Sequence, residues 1–193
     1  MNIEFEATFP NINKDEVRDR LRAAGAELKR PEYLQKRVVF HLPSGHEIPG
    51  GWLRVRDEGN KITMSLKVVD GSAIENQKET MITVNDFGQA ESLLTSIGCA
   101  KKAYQESKRE LWLLDDVEIT IDEWPFLEPF VEVEGASKEA VEAVCTKLGF
   151  NFNQALFCAV DTLYNLKYNV SNDTINNQTP VISFDSPNPF VKD

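Results

Sequence analysis

Five segments of this 193-residue chain alternate apolar side chains with side chains that carry charges of a single sign. Side chains at positions i and i+2 of a β-strand project from the same face, so each segment predicts a strand with one apolar face and one charged face. The charged faces carry Glu4 and Glu6, Arg54 and Arg56, Lys61 and Lys67, Glu118 and Asp122, and Glu132 and Glu134. A fold with these strands must cover the apolar faces and place the charged faces either in water or against one another.

The spacing of apolar residues predicts an α+β protein with a mainly antiparallel sheet. Runs with a period of two predict eight strands, at about residues 2–9, 34–41, 52–56, 62–68, 78–84, 102–113, 117–124 and 130–135. Amphipathic patterns predict four helices. Three of them begin after Asn13, Asn85 and Ser137, and the fourth runs from about Ala155 to Tyr168. Short turns at residues 57–60 and 115–116 indicate hairpins, and too few helices separate the strands for a doubly wound parallel sheet.

Two arrangements are compatible with these charged faces. In an open sheet they form a solvated surface whose cross-strand ion pairs contribute about 0.2–1 kcal/mol each, as in a plain interaction domain. In a barrel with its helices outside they line the interior, where an unpaired charge costs several kcal/mol. Opposite charges, water or bound ions must then neutralise them. The pattern by itself leaves both arrangements open.

A charged interior of this composition would combine ligands for a divalent cation with ligands for phosphate. Carboxylate oxygens suit Mg²⁺ or Mn²⁺ rather than zinc, and the acidic positions are Glu4, Glu6, Asp122, Glu132 and Glu134. Arg54, Arg56 and Lys67 offer donors for phosphate oxygens. The sequence contains neither GxxxxGK[ST] nor GxGxxG, so side chains rather than a glycine-rich loop would hold the phosphates.

Composition argues against several other classes of protein. Lys and Arg total 21 and Asp and Glu total 31, so the net charge of −10 repels nucleic acid and anionic lipid, and neither is expected as a partner. Three cysteines without CxxC spacing argue against a disulfide scaffold and a zinc–thiolate site. No apolar run suits a membrane span, and the first residues do not resemble a signal peptide. We therefore expect a cytoplasmic protein.

The composition changes at about Asn169, after which the chain is polar and lacks periodicity. This change predicts one domain over residues 1–168 and a polar tail or strap over residues 169–193. A floppy tail is one interpretation. The other is an ordered strap, which Val181, Ile182, Phe184 and Phe190 would anchor.

Taken in order, the charged residues resemble the CYTH superfamily, the triphosphate tunnel metalloenzymes. The family opens with E-x-E-x-K on its first strand, and here this reads Glu4-Phe5-Glu6-Ala7-Thr8. The further matches are Leu53-Arg54-Val55-Arg56, Lys67, Lys78-Glu79, Arg109, Ile121-Asp122 and Phe130-Val131-Glu132-Val133-Glu134. They extend from about Ile3 to Gly135. The resemblance implies a closed eight-stranded antiparallel β-barrel, the triphosphate tunnel, with helices packed outside.

The same resemblance implies a role for each matching residue. The metal-binding carboxylates would be Glu4, Glu6, Asp122, Glu132 and Glu134, and the cofactor Mg²⁺ or Mn²⁺. The substrate contacts would be Arg54, Arg56, Lys67, Arg109 and, as a weaker member, Lys78, with Lys67 and Arg109 as the catalytic residues. The substrate would be ATP, thiamine triphosphate or inorganic triphosphate, and the enzyme a triphosphatase or a class IV adenylate cyclase. It would be a monomer or a homodimer.

Two departures from the family pattern favour an alternative, a non-catalytic module that binds triphosphate or polyphosphate. The lysine of E-x-E-x-K is Thr8, which cannot carry positive charge. Hydrolases of the family often have a tyrosine in the second strand, whereas residues 37–41 contain none and Tyr33 is expected outside the register. Arg37 would be an additional phosphate contact if it faces the interior. Trp124 is expected to pack in the core or at the rim, and because it shares a face with Asp122 it is also the best candidate for contact with a nucleobase or thiazolium.

Overall fold

The computed structural model, which describes residues 1–191, contains ten strands and five α-helices. The strands are β1 Asn2–Ile3, β2 Phe5–Phe9, β3 Glu27–Phe40, β4 Gly51–Asp57, β5 Ile62–Val69, β6 Gln77–Val84, β7 Lys101–Leu114, β8 Val117–Glu123, β9 Phe130–Gly135 and β10 Val181–Ile182. The helices are α1 Lys14–Ala23, α2 Phe87–Ser96, α3 Lys138–Lys147, α4 Asp161–Tyr168 and α5 Asn172–Asn177, and short 3-10 turns occupy Ile74–Asn76 and Phe152–Gln154.

The first strand nearly closes the sheet into a barrel. The strand order is β1-β6-β5-β4-β3-β7-β8-β9-β2, and β1 and β2 are two halves of one segment interrupted at Glu4. β1 pairs antiparallel with β6, β2 pairs antiparallel with β9, and the Glu4 N–H donates to the Gln77 carbonyl at 2.9 Å. Eight strands thus surround an interior that we call the tunnel. The predicted α+β barrel with helices outside is confirmed.

Helix α1 begins where the sequence predicts it, because Asn13 caps its first turn. The Asn13 side chain accepts hydrogen bonds from the Asp15 and Glu16 N–H groups at 2.9 and 3.2 Å. Ser137 caps α3 in the same way. The cap of α2 is Asp86, one residue after the predicted Asn85.

The helices cover the outer face of the barrel, and this fixes which face of each strand looks inward. Helices α1 and α3 bury Val17 and Val141 in one core with Ile119 of β8 and Val133 of β9. In a separate core, α2 covers β3 and β4. Since neighbouring residues of a strand point to opposite faces, the residues between these outward apolar side chains point into the tunnel.

The predicted fourth helix is wrong in its first half. Residues 155–160 are not α-helical, and α4 begins only at Asp161. Leu156 instead forms a β-bridge with Thr8, in which the N–H of each residue donates to the carbonyl of the other at 2.9 Å. β2 pairs only with β9 among the named strands, so its second edge is free to bind Leu156. This long-range backbone pairing overrides the local helical pattern.

The segment after α4 packs against the barrel. β10 pairs parallel with β7, with Val181 opposite Tyr104. It takes the edge of β7 that β8 leaves free, because the ladder between β7 and β8 begins only at Lys108. Ile182 and Phe190 are buried in a core with Tyr164 of α4. Lys192 and Asp193, the end of the predicted tail or strap, lie outside the described residues. Within residues 1–191, none of the helices has the length and apolar character needed to cross a membrane.

Substitution of Ile182 tests whether this segment folds together with the barrel. We expect Ile182→Ala to lower the free energy of unfolding by about 2–5 kcal/mol, because it leaves a cavity around a fully buried position. Val181→Ala, at the adjacent position with 44% exposure, should change it by less than about 0.5 kcal/mol. Chemical denaturation measures both values. Equal stability of the two variants would show that the segment contributes nothing to cooperative folding.

Candidate functional site

Strand register brings most of the predicted site residues together on the tunnel face. Glu6 lies opposite Glu134, Lys67 opposite Glu79, and Arg109 opposite Asp122. The predicted residues that share this face are Glu4, Glu6, Arg54, Arg56, Lys67, Arg109, Asp122, Glu132 and Glu134. Their side chains come from six strands and from the break between β1 and β2.

The acidic cluster, which comprises Glu4, Glu6, Glu132 and Glu134, is concentrated around β2 and β9. Burial, together with the charges of Glu134 and Glu4 and against those of Lys67 and Arg109, raises the pKa of Glu6 to about 7. Burial also raises the pKa of Glu4 to about 7 and of Glu132 to about 8. Like charges directly opposite one another in a sheet are destabilising. The cluster therefore holds more carboxyl groups than its basic neighbours can neutralise, and some of these groups bind a proton at neutral pH.

Ion pairs connect the acidic cluster to the basic residues of the tunnel. Lys67 Nζ lies 2.9 Å from Glu4 Oε2. Arg109 donates to both oxygens of Asp122 at 2.8 and 2.7 Å and to Glu132 Oε2 at 2.6 Å. Although burial opposes the charged form of Arg109, these two carboxylates hold its pKa well above the usual value. Arg109 is thus the most firmly fixed cation of the site.

A basic wall, which comprises Arg37, Arg54 and Arg56, lies on β3 and β4. Arg37 is directly opposite Arg56, and burial followed by the charges of Arg54 and Arg56 lowers the pKa of Arg37. Burial and the charge of Arg56 lower the pKa of Arg54 to about 10. Arg54 bonds Glu79 at 2.9 Å and Arg56 lies 2.7 Å from Glu58. Three guanidinium groups this close favour the binding of an anion between them.

Two of the predicted placements are wrong. Lys78 points away from the tunnel, because the adjacent Glu79 points inward, and it forms an ion pair with Asp70. The alternation of strand faces could have excluded it, since consecutive residues cannot share a face. Tyr33 is inside the register: it lies opposite Arg109, on the same face as Gln35 and Arg37. Its face follows from the same alternation, since the ladder with β7 is regular from Tyr33 to Val39, but the predicted strand began one residue too late, at about residue 34, whereas β3 begins at Glu27.

The positions of Trp124 and Thr8 also bear on what the tunnel can bind. Trp124 is buried in the core with Tyr164 and Phe190, and its ring contacts Arg37, so it packs rather than presenting a free face to a base. Thr8, which replaces the family lysine, is buried, and its hydroxyl has no hydrogen-bond partner among the described residues.

The donor set of the acidic cluster fits a divalent cation such as Mg²⁺ or Mn²⁺. Carboxylate oxygens are the ligands these ions prefer, and the buried surplus of negative charge favours a cation. In the conformation described, Glu4 and Glu132 contact Lys67 and Arg109. Over residues 1–191, no three histidine, cysteine or acidic side chains converge closely enough to hold a metal ion. Binding would therefore require these carboxylates to exchange their basic partners for the ion.

Comparison with protein families gives one match, the model of the CYTH domain, over residues 3–162. No curated protein matches the chain significantly by its sequence.

Solved structures with the same fold extend over most of the chain. A conserved hypothetical protein from Pyrococcus furiosus is 23% identical, with a TM-score of 0.69, and the match covers 83% of this chain and 99% of that one. A candidate adenylate cyclase from Vibrio parahaemolyticus is 12% identical, with a TM-score of 0.74 and coverage of 85% and 98%. A candidate adenylyl cyclase from Hippeastrum with a dominant triphosphatase activity is 14% identical, with a TM-score of 0.57 and coverage of 89% and 97%. At these identities the likeness establishes the fold alone.

The raised pKa values of the acidic cluster predict that the metal-free protein loses stability as the pH rises. A carboxyl group whose pKa is raised by folding binds its proton more tightly in the folded than in the unfolded state. Its contribution to stability is therefore complete below the unfolded pKa of about 4.5 and is lost as the pH rises through 7 to 8. Each such proton contributes up to about 1.4 kcal/mol per pH unit.

Glu6→Gln should flatten this dependence, because it removes one of the titrating groups and the repulsion with Glu134. Unfolding in EDTA between pH 5 and pH 9 measures the slope. Glu142→Gln, an exposed position on α3, is the matched control and should retain the slope of the wild type. If the wild type becomes more stable over this range, the charge balance described for the tunnel is incorrect.

Proposed function

The chain belongs to the CYTH domain family, and on this basis we propose that it is a metal-dependent enzyme that acts on a triphosphate. The observation that carries the proposal is that one barrel interior contains both a cluster of acidic side chains and a cluster of basic side chains. A bound cation would stabilise the acidic cluster, and a bound anion would stabilise the basic wall. A triphosphate with a bound divalent cation supplies both at once, which a simple anion or a metal ion alone does not.

Each side chain then has a role that its position supports. Arg54 and Arg56 contact phosphate oxygens from the basic wall, and Lys67 and Arg109 contact them from between the wall and the acidic cluster. Lys67 and Arg109 are the catalytic residues, because their positive charges can stabilise the negative charge that develops on the transferred phosphoryl group. Mg²⁺ or Mn²⁺ would be held by Glu4, Glu6, Asp122, Glu132 and Glu134.

Two reactions are compatible with this arrangement. In hydrolysis a water oxygen bonds to the terminal phosphorus and its proton passes to solvent, the bridging phosphorus–oxygen bond breaks, the shortened phosphate chain leaves, and the terminal phosphorus becomes inorganic phosphate. In cyclisation of ATP the ribose 3′-oxygen bonds to the α-phosphorus and its proton passes to solvent, the bond from the α-phosphorus to the α–β bridging oxygen breaks, and pyrophosphate leaves. A bound divalent cation would neutralise phosphate charge in either case. The Hippeastrum neighbour, for which triphosphatase activity is dominant, and Tyr33 on the tunnel face both favour hydrolysis.

A non-catalytic triphosphate-binding module is the second candidate, and Thr8 favours it. Loss of one charged contact to a developing phosphate charge can cost about 2.7–4 kcal/mol of transition-state stabilisation. Neither of two other lysines replaces it: Lys36 is exposed, and Lys167 pairs with Glu128. A module of this kind would bind triphosphate tightly and convert it slowly or not at all.

Turnover of a substrate panel distinguishes the two candidates. The purified protein is incubated with ATP, thiamine triphosphate or tripolyphosphate, each with Mg²⁺, Mn²⁺ or EDTA, and released phosphate and cyclic AMP are measured. The enzyme predicts metal-dependent product from at least one substrate. Thermal stabilisation by these ligands without product identifies the binding module. Neither stabilisation nor product in any combination contradicts both.

Removal of two of the three arginines of the basic wall should weaken binding strongly without unfolding the protein. We expect Arg54→Gln combined with Arg56→Gln to weaken tripolyphosphate binding by about 100-fold or more, since two charge-assisted hydrogen-bonding groups are lost. Arg22→Gln, an exposed position on α1, is the control and should bind like the wild type. Calorimetry measures affinity, and thermal unfolding verifies the fold. Unchanged affinity in the folded double variant would remove these arginines from the site.

Metal affinity tests the acidic cluster separately. Glu132→Gln combined with Glu134→Gln should weaken Mn²⁺ binding by at least 10-fold, because each substitution removes an anionic ligand. Glu142→Gln again serves as the control. Identical Mn²⁺ affinity in the double variant and the wild type, measured by calorimetry, would contradict the assignment of these residues.

A further inference from the structure

The two ends of the barrel differ in how far the chain covers them. At one end Trp124, on the tunnel face, is buried against Tyr164 and Phe190, so α4 and the segment after it close the tunnel there. At the other end the second half of β6, residues 80–84, is exposed over four of its five residues. We call these five residues the rim strand.

One edge of the rim strand has no partner strand. β5 pairs with β6 along its whole length, but β1 pairs with it only at Lys78 and Glu79. Elsewhere the chain covers such edges itself, because Leu156 pairs with β2 and β10 pairs with β7. The rim strand is therefore left as a template on which another strand can pair.

The backbone groups of Met81 and Thr83 point toward this free edge. On the β1 side of β6, the Gln77 carbonyl accepts a hydrogen bond from the Glu4 N–H at 2.9 Å. In an antiparallel sheet a residue directs its N–H and its C=O to the same side, and alternate residues share that side. Met81 and Thr83 therefore offer two donors and two acceptors to an added strand.

The rim strand is uncharged, although the chain as a whole is acidic. Its sequence is Thr-Met-Ile-Thr-Val, whereas 27% of the chain is charged and the net charge is −10. The charged side chains, lysine above all, that protect free edges in other proteins are missing from it. Its side chains extend into solvent all the same, with Met81 47% and Ile82 52% exposed.

This neutrality favours a second copy of the chain as the occupant. When a strand pairs antiparallel with its own copy about a twofold axis, every charge that it carries meets a like charge on or near the opposite strand. The rim strand carries none, so two acidic chains can approach each other at this point. A basic partner, which the net charge would attract, finds no acidic side chain on the rim strand to bind.

The position of β1 sets the register of such a pair. Continuation of the register between β1 and β6 places the residue before Asn2 beside Thr80, so an added strand can reach no further than Met81. A twofold axis at Thr83 satisfies this limit. Thr83 then lies opposite Thr83 of the second copy, and the two residues exchange both backbone hydrogen bonds.

The same register pairs apolar side chains on the outer face. Ile82 of each copy lies opposite Val84 of the other. Within one chain Ile82 lies opposite Met64, and both Met64 and Val84 pack against the core that α2 covers. Pairing would therefore bury the exposed Ile82 side chain next to an existing core.

We propose that this chain forms a homodimer with twofold symmetry, in which the rim strands of two copies pair antiparallel and join their two sheets. The proposal does not depend on the proposed function, since it uses none of the residues assigned to metal or phosphate. Because the ladder is short, the dimer should be reversible and should form as the protein concentration rises.

Sedimentation equilibrium of the full chain measures this association. The average mass should rise with concentration toward twice the 21.8 kDa of one chain. Ile82→Lys should weaken association by about 10-fold or more, because it removes the apolar contact and places a charge on the paired edge. Ile97→Lys, a 57% exposed position at the end of α2, is the matched control and should associate like the wild type. Thermal unfolding verifies that both variants fold.

Disulfide cross-linking tests the register. Cα atoms of a hydrogen-bonded antiparallel pair lie about 5.5 Å apart, which suits a disulfide. Oxidised Thr83→Cys should therefore give a covalent dimer on a non-reducing gel. Ile97→Cys, and the wild type with its own Cys99, Cys145 and Cys158, are the controls and should remain single chains. If Ile82→Lys does not fold, this experiment still decides.

Three outcomes would overturn the proposal. The first is a wild-type protein that stays monomeric at every concentration, which would leave the rim strand to a different protein or to none. The second is equal association of folded Ile82→Lys and Ile97→Lys, which would place the contact elsewhere. The third is a dimeric Thr83→Cys variant that forms no covalent dimer on oxidation, which would exclude pairing about Thr83.

Discussion

Like charges face one another across neighbouring strands inside this barrel, and the rest of the site follows from that constraint. Glu6 lies opposite Glu134, and Arg37 lies opposite Arg56. The helices bury the apolar faces of the strands outside, so these charges cannot turn away without exposing the core. The ion pairs of Lys67 and Arg109 offset part of the repulsion, and an occupant with both a cationic and a polyanionic part would offset the remainder.

Local patterns were sufficient to predict most of the barrel. The two-residue period of a strand identifies its faces without knowledge of its partners, so the inward positions of Glu6, Arg54 and Glu132 could be predicted from their neighbours alone. Capping residues at Asn13 and Ser137 marked helix starts for the same local reason. The pattern did not decide between an open and a closed sheet. Closure depends on β1 reaching β6, a contact between residues more than 70 positions apart.

The features that the sequence did not reveal all depend on distant contacts. Leu156 leaves its helical pattern because Thr8 offers a free strand edge. Tyr33 faces the tunnel because β3 pairs with β7 back to Glu27, which extends the strand beyond its predicted start and continues the alternation of Gln35 and Arg37. The polar stretch after Asn169 carries few apolar residues, yet Ile175, Ile182 and Phe190 are enough to build a core with Trp124. That core closes one end of the tunnel and supports Arg37, so a segment unremarkable in composition determines the shape of the site.

Proton release on metal binding tests most directly whether the tunnel holds an unneutralised acidic cluster. Mn²⁺ is titrated into the protein at pH 7 in two buffers of different ionisation enthalpy, and the difference in heat gives the number of protons released. Because the pKa values of Glu6 and Glu132 are about 7 and 8, a bound cation should displace about one proton or more per protein. Mn²⁺ binding without proton release, or no binding at all, would contradict the claim that protonated carboxyl groups of the acidic cluster form the cation site.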